Sequence, residues 1–83
     1  MYKVFTKPNC GYCVKAKALL DKLNIPFEEY EVTIEQMFEM LGKQVRSMPQ
    51  IMHNETHIGG YTDLREHFIN EGKLNFKGEK TDG

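Results

Sequence analysis

Lys7-Pro8-Asn9-Cys10-Gly11-Tyr12-Cys13 holds both cysteines of the chain. The stretch lies between a short apolar run, Val4-Phe5, and a helical pattern that begins near Val14. The implied order is strand, turn, helix. Side chains three apart on a helix share a face, so two thiols at this spacing close a disulfide with little backbone movement. A bridge over so short a loop removes little entropy from the unfolded chain and is a poor staple. Small disulfide-built domains carry several widely spaced cysteines instead. A pair that staples badly but closes easily suits opening and closing, so it reads as a thiol–disulfide redox pair.

The two sulfurs are expected to differ. Asn9 or Cys10 is the N-cap of the first helix, which places Cys10 against unpaired backbone N–H groups of the first turn. Those donors and the positive helix end favour a thiolate, and Lys7 adds positive charge nearby. Cys13 lies one turn further in, at the head of an apolar stripe of Ala16, Leu19, Leu20 and Leu23 that should face the core. Cys10 is therefore the expected nucleophile and Cys13 the shielded resolving partner. A zinc half-site is the rival reading of the pair. It would need two further ligands, and His53, His57 and His67 lack the usual companion cysteine pair, so no metal site is assigned.

At 83 residues the chain makes one domain, near the lower size limit for a self-sufficient core. Its net charge of −1 exerts no long-range pull on nucleic acid or an anionic membrane. Lys15, Lys17 and Lys22 read as a solvated helix face, and the five methionines as core gap-fillers. No apolar run approaches transmembrane length, and Met1-Tyr2-Lys3 leads straight into a strand. A lone CxxC pair without an export signal is expected in a reducing compartment, the cytoplasm.

Along the chain, Tyr2 to Thr6 reads as a strand. A helix follows from Cys10 or Gly11 to Leu23, ended by Asn24-Ile25-Pro26 because the residue before proline avoids the helical region. Phe27 to Val32 is a second strand, and Glu28, Glu29 and Glu31 suggest that it lies at a sheet edge. Ile34, Met37, Phe38 and Leu41 mark an amphipathic helix capped by Gly42. After a loop from Lys43 to Pro49, Ile51-Met52 and His57-Ile58 form a hairpin around His53-Asn54-Glu55-Thr56. Gly59-Gly60 stops it. Thr62 is the expected N-cap of a last helix carrying Leu64, Phe68 and Ile69 and ended by Gly72. The domain is taken as 1–72. Residues 73–83 read as a polar tail, with its end from Gly78 mobile. The result is an α/β fold, β-α-β-α-β-β-α, with a mixed four-stranded sheet flanked by three helices. Its first two strands are parallel, and the thiols lie at the carboxyl end of the first.

Four blocks in this order resemble the glutaredoxins, close to the small bacterial and phage dithiol members: Lys7 to Cys13, Ser47-Met48-Pro49-Gln50-Ile51, His57-Ile58-Gly59-Gly60, and Tyr61-Thr62-Asp63-Leu64. The resemblance runs from Tyr2 to about Gly72. It implies a thioredoxin-like fold and a glutathione-dependent thiol–disulfide oxidoreductase. Glutathione is then the reducing co-substrate, recycled elsewhere by glutathione reductase and NADPH, with no tightly bound cofactor. It also implies a cis Pro49, with the Met48 backbone beside it pairing the cysteinyl part of glutathione. Thr62 and Asp63 N–H groups would take its γ-glutamyl carboxylate, the Asp63 side chain its ammonium, and Lys7 its glycine carboxylate. Tyr12, Ser47, Gly60 and Tyr61 complete the site, and Gln36 or Arg46 is a further reach toward the glycine end. Three positions depart from the family pattern: Gly11 stands where proline is common, and Ser47-Met48 where threonine and valine are usual. Implied partners are disulfide-bearing proteins, ribonucleotide reductase among them, acted on by a monomer. The alternative is a [2Fe–2S] carrier bridged by Cys10 and glutathione in a dimer.

Overall fold

The computed structural model describes residues 1–42, 45 and 47–81. Its elements run β1 (Tyr2–Thr6), α1 (Gly11–Lys22), β2 (Phe27–Glu31), α2 (Ile34–Leu41), β3 (Gln50–His53), β4 (Thr56–Gly59) and α3 (Tyr61–Asn70). The sheet order is β2-β1-β3-β4, with β1 parallel to β2 and antiparallel to β3. The expected element order and mixed four-stranded sheet are both observed. So is the edge position of β2, whose glutamates occupy the side of the sheet that no further strand covers.

Strand alternation divides the core in two. Tyr2 and Val4 point to one face of β1, where Ala16, Leu19 and Leu20 of α1 and Leu64 and Phe68 of α3 pack with Ile51. Phe5 points to the other, with Met37 of α2, Val45, Met48 and Cys13. The stripe read on α1 therefore faces the core as expected. The α2 stripe does so only in part. Met37 is fully buried, whereas Ile34 and Phe38 remain 38% and 52% exposed. Besides Met37, this helix of 8 residues gives the cluster only the partly buried Leu41, and α1 reaches the cluster only through Cys13 at its first turn.

Local capping sets the helix ends. Thr33 Oγ1 accepts from Gln36 N at 3.0 Å while Gln36 Oε1 accepts from Thr33 N at 2.8 Å, a capping box that occupies the Gln36 amide oxygen. Gly42 closes α2 in the left-handed region at φ 69°, as its sequence position implies. At α3 the expectation is corrected. Gly60, not Thr62, is the N-cap, and Asp63 Oδ2 accepts from Gly60 N at 3.0 Å. The acidic side chain three residues into the helix takes the capping role, which leaves Thr62 inside the first turn.

A buried threonine joins the sheet to α1. Thr6, 3% exposed, donates through Oγ1 to Glu29 Oε2 at 3.1 Å, and Lys17 Nζ donates to the same oxygen at 3.0 Å. The bond from Lys17 holds the Glu29 carboxyl below its ordinary range, assisted by Thr6.

The stretch after α3, read as a polar tail, carries one core residue. Leu74 is 2% exposed and belongs to the α1/α3 core cluster. Asn75 Oδ1 accepts from Lys77 N and Glu79 N, both at 2.9 Å, and folds the chain into a turn that returns Thr81 N to Lys73 O at 3.1 Å. One apolar residue in a polar run produces no periodicity, which is why the packing was not legible. Leu74→Ala is expected to destabilise the protein by about 2–4 kcal/mol, as at any core leucine. Phe76→Ala, at a side chain 86% exposed, should stay within about 0.5 kcal/mol of wild type. Urea unfolding of both variants checks this, and a neutral Leu74→Ala would mean that the tail is detached.

Candidate active site

Cys10 is the N-cap of α1, with extended backbone at φ −110° and ψ 105°. Of the two caps left open by the sequence, the structure selects the cysteine. Asn9 precedes it at φ 56°, a left-handed conformation that asparagine tolerates. Cys10 Sγ accepts from Cys13 N at 3.1 Å, taking up one of the unpaired donors of the first turn. The two sulfurs form a disulfide across a Cα–Cα distance of 5.2 Å. Cys13 is 2% exposed, whereas Cys10 is half-buried. An incoming thiolate therefore reaches Cys10 first. When the bridge opens, the Cys13 N–H and the helix N-terminus remain to stabilise negative charge on Cys10.

The Cys10 sulfur also lies 3.5 Å from the Met48 carbonyl oxygen, and the Met48–Pro49 peptide is cis. Met48 and Pro49 stand on the rim of a cleft of about 580 Å³. Tyr12, Ser47, Met48, Pro49, Gly60, Tyr61, Thr62 and Asp63 all line it, so residues from three separate parts of the chain meet here. Lys7 is placed elsewhere, in an adjoining hollow that it shares with Cys10 and Cys13. Arg46 lies outside the described residues.

Glycine matters at one point in this wall. Gly59 has φ 124°, and a Cβ there would meet the Asp63 carboxyl carbon at 2.8 Å. The bare backbone lets the carboxylate fold back onto Gly60 N. Gly11 is different: a Cβ there would meet nothing within 4 Å.

Two polar residues of the cleft received no role from the sequence. Gln50, 7% exposed, donates through Nε2 to the Ser47 carbonyl at 2.8 Å. Its Oε1 faces His57 Nε2 at 2.7 Å, so that ring nitrogen carries the proton. The amide thus ties the Ser47–Pro49 segment to β4. Its place in the Pro49-Gln50-Ile51 block was visible, but a glutamine at a strand start gives no hint of a partner seven residues away.

The glutaredoxin family model matches residues 3–58. Glutaredoxin 1 of Rickettsia prowazekii is 42% identical over 66 residues, covering 74% of this chain and 70% of its own. Among solved structures, Glutaredoxin 1 of Francisella tularensis, complexed with cacodylate, superposes with a TM-score of 0.73 at 26% identity, covering 84% of this chain and 92% of its own. A buckwheat glutaredoxin–glutathione complex superposes with a TM-score of 0.63 at 26% identity, covering 87% and 70%.

Gln50→Leu keeps the volume but leaves the Ser47 carbonyl and the His57 N–H without this partner. It should lower stability by about 1–3 kcal/mol in urea unfolding. Gly11→Pro should do the reverse. The site is the first helical position, the preceding residue already has the extended backbone that proline requires, and there is room for the ring. A gain of about 0.4–1 kcal/mol is expected by the same measurement.

Proposed function

The chain belongs to the glutaredoxin family and is a thiol–disulfide oxidoreductase, and from that premise we propose that glutathione drives it from the cleft beside Cys10. The observation that carries this reading is the contact of the Cys10 sulfur with the Met48 carbonyl on the cleft rim. A tripeptide whose sulfur meets Cys10 is thereby offered the Met48 backbone as a strand partner. The unpaired N–H groups of Thr62 and Asp63 suit its γ-glutamyl carboxylate. Its ammonium meets a carboxylate already oriented by Gly60 N–H. Tyr12 and Tyr61 flank the peptide, Ser47, Pro49 and Gly60 complete the wall, and Lys7 takes the glycine carboxylate on the far side of Cys10. A buckwheat glutaredoxin structure holding glutathione supports the choice of ligand.

In the proposed cycle the Cys10 thiolate attacks one sulfur of a protein disulfide. The Cys10–protein bond forms as the old S–S bond breaks, and the released thiolate takes a proton. Cys13, as thiolate, attacks the Cys10 sulfur and releases the reduced protein, which leaves the Cys10–Cys13 disulfide observed here. One glutathione thiolate then attacks Cys10 and frees Cys13. A second attacks the bound glutathione sulfur, which frees the Cys10 thiolate and yields oxidised glutathione. Two electrons pass from two glutathiones to one disulfide. With a glutathione mixed disulfide as substrate, Cys10 alone suffices.

The domain is proposed to span 1–72, with 73–83 as a C-terminal extension whose Leu74 packs into its core. The protein is proposed to act as a monomer in the cytoplasm, with ribonucleotide reductase among its substrates. No helix among the described residues is long and apolar enough to cross a membrane. The cluster-carrier alternative gains no support from the relatives.

Glutathione-dependent reduction of a small mixed disulfide by wild type, Cys10→Ser and Cys13→Ser tests the reading. Cys10→Ser should be inactive and Cys13→Ser active, whereas reduction of a protein disulfide should fail in both. A wild-type protein inactive with glutathione but active with another dithiol would overturn the choice of reductant.

A further inference from the structure

A second cleft, of about 360 Å³, opens beside the first. Lys15 and Lys22 of α1, Tyr61 and Arg65 of α3, and Lys77 and Gly78 of the C-terminal turn form its wall. With Ala18 and Leu19 there are eight lining residues, of which four carry positive charge and, among the described residues, none is a carboxylate, in a chain whose net charge is −1. Acidic side chains on the same elements, Asp21, Asp63, Glu66 and Glu79, are not among its lining residues, and Glu28, Glu29 and Glu31 on β2 and Glu35 and Glu39 on α2 belong to other elements.

The cations are positioned without being neutralised. Arg65 Nη2 donates to the Phe76 carbonyl and Lys22 Nζ to the Gly78 carbonyl, both at 2.8 Å. A Cβ on Gly78 would lie 3.4 Å from the Arg65 guanidinium, so the turn packs directly on it. Among the described residues the ion pairs join Lys17, His67 and Lys73 to carboxylates, and none of the four groove cations. Carbonyl dipoles hold two of the side chains and leave their full charge facing the groove.

The groove also runs into the active site. Tyr61 lines both clefts, its ring 6.1 Å from that of Tyr12, and Lys15 Nζ lies 5.0 Å from the Tyr12 ring centroid. From Cys10 to Lys22 the helix rises about 18 Å. An extended peptide covers that length in roughly five or six residues. We infer that this groove docks an acidic segment of the disulfide-bearing protein substrate, with its carboxylates about two to six residues from the cysteine that reacts with Cys10. The inference rests on the proposed dithiol cycle and names the substrates it favours. A protein segment fits better than a nucleic acid, because the basic track is short and ends at the thiols.

The test compares two peptides, each closed by an internal disulfide and followed by either three aspartates or three lysines. Reduction by the full chain with glutathione is measured at low salt and at about 1 M salt, where screening acts within roughly 3 Å. Wild type should reduce the acidic peptide with roughly tenfold higher kcat/KM at low salt, the difference lying in KM. High salt should erase it. Lys15→Glu/Lys77→Glu should reverse the preference, and Lys73→Glu, outside the groove, should leave it intact. All variants should reduce the mixed disulfide of glutathione with a small uncharged thiol at the wild-type rate. If wild type fails on that small substrate, the glutathione reading falls. If it succeeds but the two peptides react alike, or the preference survives charge reversal, the docking inference falls. It falls equally if a single-stranded oligonucleotide of matched charge blocks the acidic peptide as well as a second acidic peptide does.

Discussion

One short contact organises this protein: the Cys13 N–H donating to the Cys10 sulfur at the start of α1. A helix must satisfy its first-turn donors with something, and here a sulfur takes the place usually held by a hydroxyl or carboxylate. That choice makes the two thiols unequal. The capping sulfur stays at the surface, where charge on it is stabilised by the helix end. The sulfur one turn on falls among Phe5, Met37 and Met48. Structure and reactivity are therefore set by the same bond, and α1 cannot be shifted along the sheet without moving the chemistry.

The sheet supplies the fixed frame. β1 is buried at four of its five positions and sends side chains into both clusters, so the loop leaving its carboxyl end is anchored from both faces. The facing wall is tied down differently. Gln50 fastens the segment before β3 to β4, and Asp63 fastens the start of α3 to Gly60. Both are polar bonds that hold backbone groups still around a cleft, and a cleft for a small peptide needs backbone donors and acceptors in fixed places. Gly59 is the steric condition for the second of them.

Charge is distributed unevenly over this frame. β2 and α2 carry glutamates and no lysine or arginine, whereas the groove between α1, α3 and the C-terminal turn is lined by Lys15, Lys22, Arg65 and Lys77, two of them held by carbonyls of that turn. A net charge near zero hides this division, since opposite faces cancel in the sum while each keeps its own local field. The turn that orients the cations is itself anchored by Leu74, so a core contact and a surface potential depend on the same segment.

By itself the sequence determined the element order, the edge strand, the core stripe of α1 and the redox pair. Each is written in residues a few positions apart, as a period of two or 3.6, a proline or glycine stop, or a pair one helical turn apart. Helix ends were less legible. Thr62 has the composition of an N-cap, but Asp63 folding back over Gly59 removes the need for one. Only the tertiary structure decided the burial of Leu74, the exposed shoulders of α2, the Gln50 tie and the basic groove. These depend on which surfaces meet after the chain has folded, and contacts between residues as distant as Lys22 and Gly78 leave no local pattern to read.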